Sequence, residues 1–182
     1  MIEIKPVNYK TAFYSVMNWH YSKRMPVGKN VFLGVWEDKQ FIGTVIYGMG
    51  ACSTYHVKFN INKNEICELL RVALKEHKEF TSRIVSLSLK IIKKMNVKIK
   101  AVISFADTNQ KHIGKLYQAC NFYYIGQSTN GKKYIKDGKE IHSRHVSEKG
   151  IRKFLGNKWV KCYKPSECKV IKEPPKIRYI YI

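Results

Sequence analysis

Asp107 is the acid best placed to do chemistry in this chain of 182 residues. The apolar run Ile99 to Phe105 ends just before it, and the polar corner Thr108-Asn109-Gln110 follows. Open α/β sheets bind ligands where strands end and helices begin. A carboxylate there can accept a proton, or it can serve as a helix N-terminal group satisfied by the amides at 109–110. Arg71 stands in an otherwise apolar strand, and by the period of two it shares a face with Leu69 and Ala73. A charge on such a face needs a partner. Arg71 is therefore either the ion-pair partner of Glu68 or Asp107, or a clamp on a carboxylate or phosphate. His20-Tyr21 lies between a helix and a loop containing Pro26 and Gly28. An imidazole, with an unperturbed pKa near about 6.5, suits either a surface position or proton transfer there.

The elements that must hold these residues follow from periodicity. Ile2-Ile4 predicts a short strand. Phe13, Val16 and Met17 predict a helix over 8–18. Val31 to Trp36 and Phe41 to Gly48 flank Glu37-Asp38-Lys39-Gln40 and predict a hairpin. Residues 49–64 show no clear pattern, and Glu65 to Leu74 predicts a strand. Phe80, Ile84, Leu87, Ile91 and Met95 recur at helical spacing, with Thr81 or Ser82 as the cap. Ile99 to Ala106 predicts a buried strand. Thr108 or Asn109 is expected to cap the next helix, whose face carries Ile113, Leu116, Tyr117 and Cys120. Phe122 to Gly126 predicts a strand. Tyr134 to Ile141 predicts a hairpin, because Asp137-Gly138 suits a type I′ turn. The order is β-α-β-β-β-α-β-α-β, then a hairpin and a basic tail.

Lys and Arg number 34 against 13 acids, a formal net charge of +21. Such an excess costs self-repulsion and is usually kept for a polyanion: DNA, RNA or an anionic membrane. No run of 18 apolar residues exists, so no spanning helix is expected. The start, Met-Ile-Glu-Ile-Lys, lacks the layout of a signal peptide, and a cytoplasmic place is expected. Five cysteines in no framework pattern read as reduced thiols. Zinc at Cys162, Cys168, His142 and His145 is disfavoured, because the cysteine spacing fits no standard knuckle. Residues 149–182 hold ten Lys/Arg against two acids. Their lysines interleave with Trp159, Tyr163, Tyr179 and Tyr181, a pattern that suits phosphates and stacked bases. We expect a catalytic domain over 1–148 and a basic extension over 149–182.

Five motifs occur in order: His20-Tyr21; Glu68-Leu69-Leu70-Arg71; Ser104-Phe105-Ala106-Asp107; Gly114-Lys115-Leu116-Tyr117-Gln118-Ala119-Cys120-Asn121; and Gly138-Lys139 with His142-Ser143-Arg144. On these, from about His20 to Arg144, the chain resembles the Mom family of phage DNA-modification proteins. The element order is similar to the GCN5-related N-acetyltransferase fold, an α/β (α+β) mixed sheet flanked by helices. The resemblance implies a transferase that alters the exocyclic amine of adenine in double-stranded DNA. The product would carry a carbamoylmethyl-type group that blocks restriction enzymes.

The resemblance also implies roles. Asp107 and His20 would handle protons, with Tyr21 beside them, and Tyr117 would position or protonate a leaving group. Arg71 would hold the donor or the developing charge. Tyr124 and Arg144 are expected to contact DNA, and so, on charge alone and beyond the resemblance, are Arg152, Lys153 and Lys158; of the neighbours Tyr123 and Tyr124, one is expected in the core and the other on a base. The fold normally grips a donor pyrophosphate with a glycine-rich turn before its central helix. Here that turn, Lys75 to Arg83, has no glycine, which leaves Lys78, Thr81, Ser82 and Arg83 to hold a phosphate. The donor stays open between acetyl-CoA and a charged carrier such as an RNA. Iron at His20, Tyr21 and Asp107 is an alternative that the ligand types leave open.

Overall fold

The hairpin at the front of the sheet shows how directly backbone chemistry sets this fold. Strand β2 (Asn30–Glu37) turns into β3 (Gln40–Gly48) through Asp38 and Lys39, both at positive φ (49° and 68°), with Glu37 opposite Gln40. Two successive positive φ values give the turn whose twist matches that of paired strands. Strand β1 (Ile2–Pro6) adds antiparallel to β2. Helix α1 (Tyr9–Trp19) is capped by the Asn8 side chain, which accepts from the Thr11 amide. It buries Ala12, Ser15 and Val16, while Phe13 and Met17 of the predicted face are exposed. Ala12 and Val16 pack on Ile46 and Ala73 of the sheet.

The computed structural model describes residues 1–50, 54–141, 143–150, 152–155 and 158–182; of Arg144, Lys153–Leu155 and Lys158 the backbone alone is described. A short helix α2 (Tyr55–Lys58) falls within residues 49–64, whose residue types show no clear periodicity. Then come β4 (Ile66–Leu74), α3 (Thr81–Met95), β5 (Ala101–Ala106), α4 (Lys115–Ala119) and β6 (Tyr123–Gln127). The remaining strands are β7 (Gly131–Lys136), β8 (Lys139–Ile141), β9 (Lys153–Leu155), β10 (Lys158–Val160), β11 (Lys169–Glu173) and β12 (Ile177–Tyr181). The main sheet runs β1-β2-β3-β4-β5-β12-β6. This is the mixed, helix-flanked sheet that the element order predicts.

Helix α3 buries Ile84, Val85, Ser88, Leu89 and Ile92. The predicted face was rotated, since Phe80 and Met95 lie exposed at its two ends. Burying each of its large aliphatic side chains contributes about 1.5–3 kcal/mol. Its N-cap is Phe80, with no side-chain cap, so neither Thr81 nor Ser82 caps it. Asp107 caps a single 3-10 turn (Thr108–Gln110), and α4 starts only after Gly114, which leaves Ile113 exposed outside the helix. The 3-10 turn ends on Lys111 at φ 56°, which breaks the helix the sequence suggested.

Two units divide the chain: Met1–Ala106 with Gly114–Gly126 and Arg178–Ile182, and Asp107–Ile113 with Gln127–Ile177. The last residues of the expected basic extension are thus part of the main sheet. Tyr179 and Ile180 of β12 are 2% and 3% exposed, so Tyr179 is core and not a base-stacking surface. The second unit contains the predicted hairpin, with Lys136 opposite Lys139 and both Asp137 and Gly138 at positive φ. Strand β11 pairs with β7 on its other edge, giving the order β11-β7-β8, and β9 pairs with β10. Among the described residues no helix is long and apolar enough to cross a membrane.

Candidate active site

Strands β4 and β5 are parallel and pair only at their starts, Ile66 with Ala101, Cys67 with Val102 and Glu68 with Ile103. Strand β4 then runs on to Leu74 and β5 to Ala106 without pairing to each other, so the sheet opens between them. A backbone group freed in a buried place needs a partner. The Ser104 hydroxyl, fully buried, supplies one by donating to the Leu69 carbonyl at 3.1 Å.

On its other edge β4 carries a bulge. Tyr47 pairs with Leu69 and the preceding Ile46 with Arg71, which leaves Leu70 without a partner on β3. A bulge puts two successive side chains on one face. Leu70 and Arg71 therefore both lie on the α1 side, and Leu69 is on the opposite face from Arg71. The expectation that Arg71 and Leu69 share a face fails because the period of two is broken between them. The Arg71 guanidinium donates to the Leu70 carbonyl (2.6 Å) and, at 3.4 Å, to that of Arg24. Main-chain oxygens, and not the carboxylate of Glu68 or Asp107, hold it.

Glu68 is 8% exposed, in a protein where acids are few. Gly50, at φ +42°, makes room for it: a methyl group there would run into the Glu68 carboxylate. Reading by residue type missed Glu68 as a site candidate. The available signal was a lone acid inside an apolar strand.

Tyr117 reaches the same opening from α4. Its ring packs on Phe122 and Tyr179, at centroid distances of 5.6 and 5.3 Å. Its hydroxyl lies within reach of Ser104 and 3.5 Å from the Phe105 carbonyl. Burial pushes the Tyr117 hydroxyl above its ordinary pKa; the Ser104 hydrogen bond opposes that and the negative charge of Glu68 adds to it. Such a phenol stays protonated at neutral pH and acts as a donor.

His20 ends α1 and is buried. The Ser22 amide donates to Nδ1 at 3.1 Å, and the Ser22 hydroxyl is 2.8 Å from the same atom. Nδ1 is thus an acceptor, and in the neutral ring the proton is assigned to Nε2. The ring stacks on exposed Tyr21 at 4.4 Å. Asp107 stands one residue beyond β5, and its Oδ1 accepts from the Asn109 amide at 3.1 Å, the helix-start arrangement the sequence allowed. Among the described residues no three His, Cys, Asp or Glu side chains converge on a point. Cys162 and Cys168 are in no disulfide, and His142 lies outside the described residues.

The turn before α3 is already filled. The Glu37 carboxylate accepts from the amides of Lys78 (2.9 Å) and Glu79 (2.7 Å). The Phe80 amide donates to Glu79 Oε1 at 3.0 Å, and Glu79 Oε2 pairs with Arg83 at 2.8 Å. Thr81 Oγ1 lies 3.0 Å from His77 Nε2. The Lys78 amide, opposed by desolvation and helped by the Glu79 amide, holds Glu37 below the usual carboxylate range. A bound carboxylate thus takes the amides of Lys78 and Glu79, two of the donors that a phosphate at this turn would use. Of the other expected contacts, Arg152, Tyr123 and Tyr124 are exposed, so neither tyrosine is core.

The fold is similar to that of an acetyltransferase from Bacillus subtilis solved with CoA, at TM-score 0.52 and 14% identity, covering 98% of this chain and 95% of that one. A spermidine N-acetyltransferase chimera from Vibrio cholerae gives TM-score 0.54 at 10% identity, covering 100% and 95%. The sheet is thus of the acetyltransferase type. The chain is also 28% identical over 145 residues to the methylcarbamoylase mom of Escherichia phage Mu, which covers 78% of this chain. It matches 60% of the length of that relative. The model of the Mom protein family matches residues 1–182, beyond the stretch His20 to Arg144 that carries the motifs. With that match running through β12 and the core of the sheet, the chain belongs to the Mom protein family.

Proposed function

We propose that this protein is a transferase that modifies the exocyclic amine of adenine in DNA with a carbamoylmethyl-type group, protecting the DNA from restriction. The observation that carries the reading is the opening between β4 and β5. There a protonated Tyr117 and the buried Glu68 accompany Ser104 in a chain that belongs to the Mom family.

The adenine amine is delocalised into its ring and is a weak nucleophile. It must first leave the base stack, at a cost of a few kcal/mol that Lys and Arg contacts to phosphates offset. A bond then forms between the amine nitrogen and an electrophilic carbon of the donor as the bond from that carbon to its carrier breaks. The amine proton passes to a carboxylate, for which Asp107 is the proposed acceptor, and Tyr117 gives its proton to the leaving group. Arg71, its fork fixed by two carbonyls, holds the donor or the developing negative charge. His20 donates a hydrogen bond from Nε2, because Nδ1 is occupied by Ser22. The donor proposed is a carrier-bound group and not a coenzyme A thioester, since Glu37 occupies the turn amides.

Mass analysis of nucleosides from plasmid DNA of cells expressing the protein tests the reading. An altered deoxyadenosine supports it. Unmodified DNA together with an acetylated protein or amine would favour an ordinary acetyltransferase.

A further inference from the structure

The three-stranded sheet of the second unit sorts its charges by face. Directly opposite residues of paired strands share a face, and faces alternate along each strand. The register puts Lys132 opposite Lys172, Tyr134 opposite Val170 and Ile141, and Lys136 opposite Lys139. These residues form one face, with four lysines and no acid. The other face carries Lys133, Ile135, Lys169 and Ile171 with Glu140 and Glu173, and Lys133 pairs with Glu140 at 2.9 Å. On the first face Lys136 is engaged by Glu167 at 3.4 Å and lies over Tyr163. Lys132, Lys139 and Lys172 are exposed and make no ion pair among the described residues.

Like charges directly opposite each other on neighbouring strands destabilise a sheet. Lys132 facing Lys172 is such a pair, and no acid on their face relieves it. We propose that this face is a docking surface for the sugar-phosphate backbone of duplex DNA. A polyanion removes the repulsion and releases its own counterions. The Lys132/Lys172 pole and the Lys136/Lys139 pole are four residues apart along β7, about 14 Å at the usual rise per residue. That separation suits phosphates on the two sides of a major groove about 12 Å wide. Tyr134 and Val170 fill the middle of the face. The acids on the opposite face leave only one side of the sheet suited to DNA. This inference rests on the DNA-modifying reading above and adds where the duplex is held.

The test compares the full-length protein with K132Q/K139Q/K172Q and with K169Q, a lysine of the opposite face. Binding to a short duplex is followed by fluorescence anisotropy across a salt series, with a thermal melt of each protein. Each lost phosphate contact removes about 0.9 from the slope of log affinity against log salt. The triple variant should lose about two to three units of slope and melt no lower than the parent, because a like-charge pair has gone. K169Q should keep the parental slope. Parallel slopes for parent and triple variant would overturn the proposal. So would an equal loss in K169Q, or a loss seen with a folded RNA hairpin and not with duplex DNA. Adenine modification by the parent is measured separately. A parent that modifies no adenine but shows the slope difference contradicts the reaction and keeps the surface. A modifying parent with parallel slopes contradicts the surface alone.

Discussion

The Ser104 hydroxyl donates to the Leu69 carbonyl across the point where β4 and β5 stop pairing. One side chain thus replaces the missing ladder bond and also brings a hydroxyl to Tyr117. Ser104→Ala leaves a buried carbonyl without its donor, which costs about 1–3 kcal/mol. Urea denaturation should show that loss as a lower midpoint with an unchanged slope. An unshifted midpoint would mean that the opening needs no such bridge.

Tyr117→Phe keeps the ring against Phe122 and Tyr179 and removes only the hydroxyl. Its stability should stay close to the parent's. The rate of adenine modification should fall by about 10²–10⁴, the range for loss of a general acid. A fall in stability with full activity would make Tyr117 a packing residue.

Arg71→Lys should be nearly as damaging as Arg71→Ala, because an ammonium cannot reproduce a fork fixed on the carbonyls of Leu70 and Arg24. A melt accompanies the activity assay, since both carbonyls lose a donor. Parental activity in the lysine variant would reduce Arg71 to a bulk charge.

Much of the fold around these residues was legible in the sequence, and the failures share a cause. The order of strands, the Asp137-Gly138 hairpin and the place of Asp107 after β5 follow from local pattern. The face of Arg71 does not, because a bulge at Leu70 leaves no mark in residue types. Nor does the anion at the turn: Glu37 is some forty residues from Lys78, and only tertiary pairing brings its carboxylate to those amides. The tail misled for a related reason. Lysines dominate it, but Tyr179 and Ile180 complete the sheet between β5 and β6.

Glu37→Gln tests the filled turn through pH. The folded-state pKa of Glu37 is depressed, so its contribution to stability is present above its ordinary value, about 4.5, and is lost as pH falls through the folded value. The parent should therefore be the more stable protein at neutral pH, and the gap to the variant should close in acid. A gap that does not change with pH would mean that the carboxylate charge is not what the amides of Lys78 and Glu79 hold.

Placement of a carbamoylmethyl-type group on adenine in DNA is the activity proposed for this chain. The most direct measurement is the mass of deoxyadenosine from plasmid DNA of cells expressing either the parent or Asp107→Asn, a near-isosteric change that removes the charge. The account predicts a heavier deoxyadenosine with the parent and only the ordinary nucleoside with a folded Asp107→Asn. Ordinary deoxyadenosine from cells with abundant folded parent protein would contradict it.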